Sequence, residues 1–268
     1  MLDNKSVYNF TYKNFAAVIN KYQYHFHPKD IVAGTIFSIE NRFVLVDIGA
    51  NQVGFLPFEE ISLNRIDDVN TYISLNEVRE LYILLFDSEL GQILLSIKRV
   101  ELIKAWKRIQ QIYAEEAIVK TQMVKLNKGG CIVQLDGLKG FIPKSHLIYI
   151  NQVPKLVKST NICVKILEFN ESLNYLLLSS RCAYIQQNPH IFKVGNIVQG
   201  KIDSIQPYGL FITIEYVQGL LHISEIIQNS DEELDKKFIP RENILVMIIH
   251  IDNKQGRITL SQKGIQVN

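Results

Sequence analysis

A histidine, a serine and a glutamate stand close together in the stretch GLLHISEI, residues 219–226. One residue separates His222 from Ser224, and Glu225 follows directly. These are the side chains of many hydrolases, in which a base activates a nucleophile and a third group orients the base. In a strand that runs into a turn, His222 and Ser224 could share one face. Whether His222 is catalytic or has a different role depends on the strands and turns that position these residues.

Two short sequence markers recur along the chain and reveal an internal repeat. The glycine of GLLH returns in GFIP and GFLP, at Gly140 and Gly54, with spacings of 79 and 86 residues. The second marker, LLS or TLS, ends at residues 96, 179 and 261, with spacings of 83 and 82 residues. The chain therefore contains three tandem units, each of about 70 residues, joined by connectors.

The repeat argues against catalysis at the histidine. Pro143 and Pro57 hold the position of His222 in the other two units, and a proline side chain cannot act as a base. Metal binding has no better support, since His25 and His27 stand apart from any carboxylate cluster and no HExxH pattern occurs. We therefore expect a protein that is not an enzyme, with no catalytic residue, metal site, cofactor or small-molecule substrate.

Each unit has the pattern of several short β-strands. In the third, VGNIVQGKIDSIQPYGLFITIEYVQGLLHI alternates apolar and polar residues and is broken at residues 207–209 and near Gly219. A polar stretch follows, and then two further strands, ILVMIIHID and RITLSQK. Five strands with a long connection before the fourth are typical of a small barrel of the oligonucleotide-binding (OB) type. The predicted fold class is all-β, with three tandem five-stranded OB-fold barrels.

Two segments outside the barrels have helical spacing. RVELIKAWKRIQQIYAEEA predicts a linker helix in which Trp106 either anchors the helix to a barrel or contacts a partner. FTYKNFAAVINKYQYHF predicts an amphipathic N-terminal helix that either docks on a partner or packs on the chain. The predicted organisation is a helical docking segment at 1–27, a first barrel at 28–99, a linker helix at 100–112, a second barrel at 113–182 and a third barrel at 193–263.

The third unit combines aromatic side chains with nearby cations. On a small barrel this combination binds single-stranded nucleic acid, because rings stack on bases while cations follow the phosphates. The candidates are Tyr208, Phe211, His222, Lys254 and Arg257. A tyrosine and a phenylalanine three residues apart also suit a core, but Tyr208 occupies a Pro-x-Gly turn, where a ring is usually half exposed.

The third unit resembles the RNA-binding domain named after ribosomal protein S1, through KIDSIQPYGLFITI, GLLHISEI and HIDNKQGRITLSQK. With NKGGCIVQLDGLKGFIPKSH and FSIENRFVLVDIGANQVGFLPFEE included, the whole chain looks like the three-domain S1 of cyanobacteria and plastids. The resemblance implies that His222 belongs to an RNA-binding face.

The resemblance also implies a structural constituent of the small ribosomal subunit that binds single-stranded mRNA near the decoding site and supports translation initiation. Its partners would be mRNA, ribosomal proteins and rRNA, and its N-terminal part would dock on the subunit. A free RNA chaperone or translational regulator built from the same barrels is the alternative. A ribonuclease would need a further domain with paired carboxylates for metal, and no residues are left to build one.

The family pattern transfers unevenly from the third unit to the others. In the second unit, the positions of Tyr208, Phe211, His222 and Arg257 are matched to Lys128, Cys131, Pro143 and Tyr175. In the first unit, they are matched to Arg42, Leu45, Pro57 and Gln92. These matches predict that only the third unit keeps an aromatic and histidine face, and that the second unit relies on charge.

Charge is distributed unequally among the units. Residues 28–99 contain six basic and eleven acidic residues, a formal charge of −5. Residues 113–182 contain nine and five (+4), and residues 193–263 contain eight and nine (−1). Because RNA is a polyanion, we expect it to bind the second and third units, while the first meets a basic protein surface. The second unit's candidate RNA ligands are Tyr175, Lys120, Lys125, Lys128, Lys139 and Lys144.

Composition bears on the compartment. The chain has 38 isoleucines and 20 asparagines against 8 alanines, and 21 lysines against 8 arginines. This bias towards A/T-rich codons suggests an organelle genome, and the N-terminal sequence lacks the pattern of a signal or transit peptide. We therefore expect a plastid ribosome in the chloroplast stroma, with a cyanobacterial cytoplasm as the alternative. Three widely spaced cysteines predict free thiols, and no apolar run is long enough to predict a membrane span.

Overall fold

The computed structural model describes residues 26–49, 52–64, 68–87, 92–148, 161–226, 234 and 238–265. Over these residues the chain forms three closed five-stranded barrels, as the sequence predicts. The chain divides into two compact units, Met1–Lys104 with the first barrel and Ala105–Asn268 with the second and third. The N-terminal helix predicted at residues 1–27 lies outside the described residues except for its last two positions.

The strands of the described residues fall five to a barrel. The first barrel contains β1 (Ile31–Ile39), β2 (Phe43–Asp47), β3 (Gly54–Pro57), β4 (Val78–Asp87) and β5 (Gln92–Ser96). The second contains β6 (Val119–Asn127), β7 (Gly130–Leu135), β8 (Leu138–Pro143), β9 (Asn161–Asn170) and β10 (Tyr175–Ser179). The third contains β11 (Ile197–Gln206), β12 (Gly209–Ile214), β13 (Val217–His222), β14 (Asn243–Asp252) and β15 (Arg257–Ser261). A 3₁₀ turn follows the third strand of each barrel, at Phe58–Glu60, Lys144–His146 and Ile223–Glu225.

The strands are connected in the same order in every barrel. In the first, β1 pairs with β2 and with β4, β2 pairs with β3, and β3 pairs in parallel with β5, which pairs with β4. The other two barrels repeat this closed circuit. The first strand of each barrel also carries a register irregularity at the same place, between residues 36 and 38, 123 and 125, and 202 and 204. Such a bulge bends a strand, which helps a short sheet to close.

The two sequence markers meet inside each barrel. A Cβ added at Gly54, Gly140 or Gly219 would lie 2.4, 2.6 or 2.9 Å from the Cδ1 atom of Leu95, Leu178 or Leu260, respectively. Each of these leucines is fully buried in its barrel and belongs to the second marker. Any side chain at the glycine would therefore displace the leucine that fills the core. The repeat in the sequence reflects a steric pairing between the third strand and the fifth.

Two helices lie at the ends of the first two barrels, and a short one, α1 (Val69–Tyr72), lies before β4. Helix α2 (Ile97–Ala114) is longer than the predicted linker helix at 100–112. In the first unit, its Glu101 accepts a hydrogen bond from the Leu63 backbone N–H at 3.0 Å. In the second unit, Trp106 is only 1% exposed and its ring centroid lies 6.2 Å from that of Phe169. Trp106 therefore anchors the helix to the second barrel.

Helix α3 (Ser180–Gln187) was not predicted from the sequence. Ser179 caps it by accepting a hydrogen bond from the Cys182 backbone N–H at 3.0 Å. Ile185 of this helix and Ile148 are buried in the same apolar cluster as the core of the third barrel. The second and third barrels are therefore packed together within the second unit.

Cys131, Cys163 and Cys182 are free thiols, as the sequence predicts. Burial raises the pKa of the Cys131 and Cys182 thiols, which keeps them protonated and unreactive at neutral pH. Over the described ranges, the helices are all too short or too polar to cross a membrane.

Candidate nucleic-acid interface

The outer surface of the third barrel brings Tyr208, Phe211 and His222 together. Phe211 lies on the outer side of β12, because its two neighbours along the strand are fully buried. Its ring meets that of Tyr208 edge to face, with centroids 6.2 Å apart, and Tyr208 is 49% exposed. Gly209 pairs with His222 across β12 and β13, which places the histidine on the same side of the sheet as Phe211. We call Tyr208, Phe211 and His222 the aromatic face.

A glycine is required at the centre of this face. A Cβ added at Gly209 would lie 2.3 Å from the carbonyl oxygen of Leu221, so the two strands approach more closely than any other residue allows. The Ile223 backbone N–H donates to the carbonyl of Tyr208 at 3.0 Å and ties the turn to the end of β13. The Pro-Tyr-Gly turn thereby presents the tyrosine ring to solvent.

His222, Ser224 and Glu225 do not form a catalytic triad. Nδ1 of His222 lies 2.8 Å from Ser224 Oγ and accepts a hydrogen bond from the Ser224 backbone N–H at 3.2 Å. The Glu225 carboxylate instead accepts a hydrogen bond from Ser261 Oγ at 2.7 Å and lies 3.7 Å from Lys263 Nζ. A triad needs a group that orients the base, and this carboxylate is engaged elsewhere. The histidine caps a 3₁₀ turn and leaves an exposed ring for a ligand.

Lys254 and Arg257 lie exposed at the β14–β15 hairpin. Leu221 pairs with Leu260 in the parallel pair, so His222 is level with Ser261, and Arg257, four residues earlier, lies about 13 Å along the sheet from the level of the histidine. Asp252 faces Arg257 across the hairpin and accepts hydrogen bonds from two backbone N–H groups of the turn, at 2.9 and 3.1 Å. These hydrogen bonds hold the pKa of Asp252 below its ordinary value. The predicted cations thus flank the aromatic face at one end instead of surrounding it.

The strand register of the second barrel corrects the sequence match there. Gly130 pairs with Pro143, which holds the position of the histidine. Counting from this pair, Ile132 takes the position of the phenylalanine, whereas the predicted Cys131 is fully buried. The position of the tyrosine falls to Gly129. The match was wrong by one residue because two adjacent glycines stand where the third unit has one.

Exposed lysines surround the outer surface of the second barrel. Lys125 pairs with Ile132, and Ile132 pairs with Phe141, so these residues form one row across the sheet. Lys128, matched to the tyrosine from the sequence, stands one residue before that position, in the β6–β7 turn. The other candidates of this barrel are also exposed: Lys120, Lys139, Lys144 and Tyr175. This barrel therefore offers cations around a smaller apolar surface.

Two aromatic residues on these surfaces were missed in the sequence. Phe55 and Phe141 each follow the marker glycine and pair across the sheet with Leu45 and Ile132, respectively. Both are half-buried, and Phe55 also meets the ring of Phe43 at a centroid distance of 5.7 Å. The signal was the alternation of a strand: since the glycine faces the core, the next residue must face outward. In the first two barrels, the outward ring is on the third strand and lies opposite the residue that holds the position of Phe211 on the second strand.

The first barrel agrees with its sequence match and lacks the full face. Phe43 pairs with Pro57, and Leu45 pairs with Phe55, so leucine and proline hold the positions of the phenylalanine and histidine. Arg42 and Gln92, matched to the tyrosine and arginine, are both exposed. With its formal charge of −5 over residues 28–99, this barrel presents the least favourable surface to a polyanion.

The fold and the surfaces define a class of protein. Within the described ranges, no group of three or more His, Cys, Asp or Glu side chains could hold a metal ion. Small closed barrels with outward rings and flanking cations bind single-stranded nucleic acid. The chain thus belongs to the class of multi-barrel proteins that bind single-stranded nucleic acid.

Comparison with known proteins identifies the family. The profile of the S1 RNA binding domain matches residues 26–98 and 191–263. The small ribosomal subunit protein bS1A of Synechocystis sp. is 43% identical over 96% of this chain and 78% of its own length. The bS1c protein of Porphyra purpurea is 45% identical over 96% of this chain and 98% of its own length, and bS1 of Synechococcus sp. is 41% identical over 96% and 83%. The chain belongs to the bS1 family of small ribosomal subunit proteins.

Family membership confirms the resemblance read from the sequence. The relatives are ribosomal proteins with RNA-binding domains and are not enzymes, as predicted for this chain. They come from plastids and cyanobacteria, which associates the chain with a ribosome of one of these two kinds. The second barrel has the same strand order as the two barrels that the profile matches.

Proposed function

We propose that this chain holds single-stranded mRNA on the small ribosomal subunit and thereby supports the initiation of translation. The observation that supports this function best is the aromatic face, where two rings in contact and an exposed histidine lie on one side of the third barrel. Bases stack on such rings regardless of sequence, which suits a protein that must accept many mRNAs. Lys254 and Arg257 lie where they would contact the phosphates of the same strand.

The three barrels divide this work. The second barrel binds the RNA backbone through its exposed lysines, since its apolar row is small and its formal charge over residues 113–182 is +4. The first barrel, together with the predicted N-terminal segment, docks on the small subunit. Its acidic surface suits a basic ribosomal protein better than a nucleic acid.

Sedimentation with ribosomal subunits tests this function against its alternative. The purified chain, mixed with small subunits and run through a sucrose gradient, should move with the subunits and carry a labelled, unstructured oligoribonucleotide with it. A free RNA chaperone or regulator would bind the same oligonucleotide but remain at the top of the gradient. A chain that binds no RNA would contradict both functions.

Within the plastid or cyanobacterial setting, we favour a plastid ribosome in the chloroplast stroma. The support is the codon-related bias of the composition, with 38 isoleucines and 20 asparagines against 8 alanines. An antibody against the chain should detect it in ribosomes from isolated plastids of the source cell. Its presence only in a cyanobacterial cytoplasm would contradict this assignment.

A further inference from the structure

A buried serine ends the last strand of each barrel, and its partner is different in the second barrel. In the first and third barrels, the serine hydroxyl donates to a carboxylate from the 3₁₀ turn. The pairs are Ser96–Glu60 and Ser261–Glu225, both with oxygen–oxygen distances of 2.7 Å. In the second barrel, Ser179 Oγ lies 3.0 Å from Nδ1 of His146. The hydrogen bond is kept, but the negative charge is absent.

A basic residue follows each of these serines by two positions. Lys98 lies 3.8 Å and Lys263 lies 3.7 Å from the carboxylate that the serine contacts in the same barrel. The second barrel has Arg181 at this position, and His146 replaces its counter-ion. Among the described residues, no carboxylate forms an ion pair with Arg181. The second barrel therefore contains a guanidinium whose charge is not neutralised in the way that the other two barrels neutralise theirs.

Arg181 is half-buried against the β14–β15 hairpin of the third barrel. Its Nη2 donates to the carbonyl of Gln255 at 2.7 Å, and the neighbouring Cys182 thiol contacts the carbonyl of Lys254 at 3.8 Å. The Nε atom of Arg181 is buried and has no hydrogen-bond partner among the residues that the structure describes. A buried donor without an acceptor is energetically unfavourable. Arg181 therefore has both an unsatisfied donor and a charge that no carboxylate pairs with among the described residues.

A second arginine, Arg257, contributes to the pKa shifts of His146 and Arg181. Burial lowers the pKa of His146, and the positive charges of Arg181 and Arg257 lower it further. Burial and the charge of Arg257 also lower the pKa of Arg181. Near the hairpin, Asp252 faces Arg257 and accepts two backbone N–H groups, and Glu116 lies 2.6 Å from Lys165 Nζ. Among the described residues, neither carboxylate forms an ion pair with Arg181, whose positive charge lies where the second and third barrels pack together.

We propose that Arg181 and Arg257 form a phosphate-binding site for the RNA backbone at this junction. The inference rests on the proposed function and adds a site to it. Guanidinium groups bind phosphate oxygens through two parallel hydrogen bonds, and do so best where water is partly excluded. Since Arg257 also flanks the aromatic face, an RNA strand stacked on Phe211 continues over the hairpin to the lysines of the second barrel. A glutamate at residue 146 would close this site, because it would form the ion pair seen in the other two barrels.

The variant His146→Glu tests the site without removing either arginine. Affinity of the full-length chain for an unstructured oligoribonucleotide is measured by fluorescence anisotropy from 0.05 to 0.3 M salt. Loss of one phosphate contact should reduce the log–log salt slope by about 0.7, which corresponds to a roughly fivefold weaker affinity at 0.1 M salt. Arg181→Gln should give the same reduction, whereas His146→Gln, which adds no charge, should keep the wild-type slope.

Lys98→Gln is the matched control, since Lys98 holds the position of Arg181 in the first barrel and should leave the slope unchanged. Thermal melts of all variants separate loss of binding from loss of fold. If the folded His146→Glu protein binds RNA with the wild-type salt slope, the proposed site is wrong. This holds even if the wild-type chain is found to bind inorganic phosphate. A wild-type chain that binds no RNA at all would instead contradict the proposed function.

Discussion

Replacing Phe211 with alanine probes the aromatic face at its centre. The phenylalanine is half-buried, its ring lies perpendicular to the Tyr208 ring, and its two neighbours along the strand are in the core. Such a ring can stack on one base only, because its other side is occupied by the barrel. The variant therefore removes a single stacking interaction and leaves the cations of the hairpin in place.

The size of the effect follows from this geometry. One stacked base contributes about 1–3 kcal/mol to binding, so the dissociation constant should rise about 5- to 150-fold. The salt dependence should not change, since no phosphate contact is lost. Half-burial of the ring contributes about 1–1.5 kcal/mol to the free energy of unfolding, and the edge-to-face contact with Tyr208 adds about 0.5–1.5 kcal/mol, which together are less than the usual stability of a domain. The third barrel should remain folded.

Fluorescence anisotropy with a labelled, unstructured oligoribonucleotide gives the dissociation constant, and circular dichroism gives the melting temperature. Leu45→Ala is the control, because Leu45 holds the same register position in the first barrel. We expect this control to bind RNA like the wild type. If Phe211→Ala also binds RNA with wild-type affinity while its barrel is folded, the phenylalanine is not a stacking platform and the aromatic face is wrongly assigned.

Four further outcomes are expected. The Lys125→Gln variant should lower the log–log salt slope of RNA binding by about 0.7; an unchanged slope would show that the second barrel's row does not contact phosphate. A fragment of residues 105–268 should bind RNA nearly as well as the whole chain, while residues 1–104 should bind it poorly yet sediment with small subunits; the reverse distribution would contradict the division of work. Trp106→Ala should lower the free energy of unfolding by about 3–5 kcal/mol in urea denaturation, because the indole is fully buried; a change below about 1 kcal/mol would contradict its anchoring role. Because burial lowers the pKa of His146 below 6.5, the unfolded chain binds the proton more readily, so the melting temperature should fall as the pH drops below about 6.5. His146→Gln should flatten this dependence, and an equal slope in both proteins would refute the assignment.

The three-barrel fold could be predicted from the sequence because the residues that repeat are in contact with each other in each barrel. The marker glycine and the marker leucine touch in every barrel, so neither can change alone, and both remain visible after the rest of each unit has diverged. Tyr208 was placed correctly at an exposed turn by the Pro-x-Gly pattern. Side-chain alternation from the marker glycine would also have placed Phe55 and Phe141 outside.

The rest could not be read because it depends on register or on packing between distant segments. The adjacent glycines of β7 allow two alignments that differ by one residue, and only the pair Gly130–Pro143 decides between them. Helix α3 has only eight residues, too short for a clear helical period, and Ile185 is buried in the core cluster of the third barrel. The surroundings of Arg181 combine a helix, a 3₁₀ turn and a hairpin that are more than 30 residues apart along the chain.

The shared burial of Ile148 and Ile185 in the core of the third barrel has a consequence for avidity. Two barrels on a flexible linker would each have to find the RNA by diffusion, with a local concentration set by the length of the linker. Here the linker is itself packed, so the surfaces of the second and third barrels keep a fixed separation. Once one barrel has captured a strand, the other meets it at an effective concentration that no longer depends on chain flexibility. If the RNA strand is released briefly from one barrel, the other barrel still holds it, so the first can bind it again before it dissociates. The residence time of the RNA therefore increases without any gain in sequence preference.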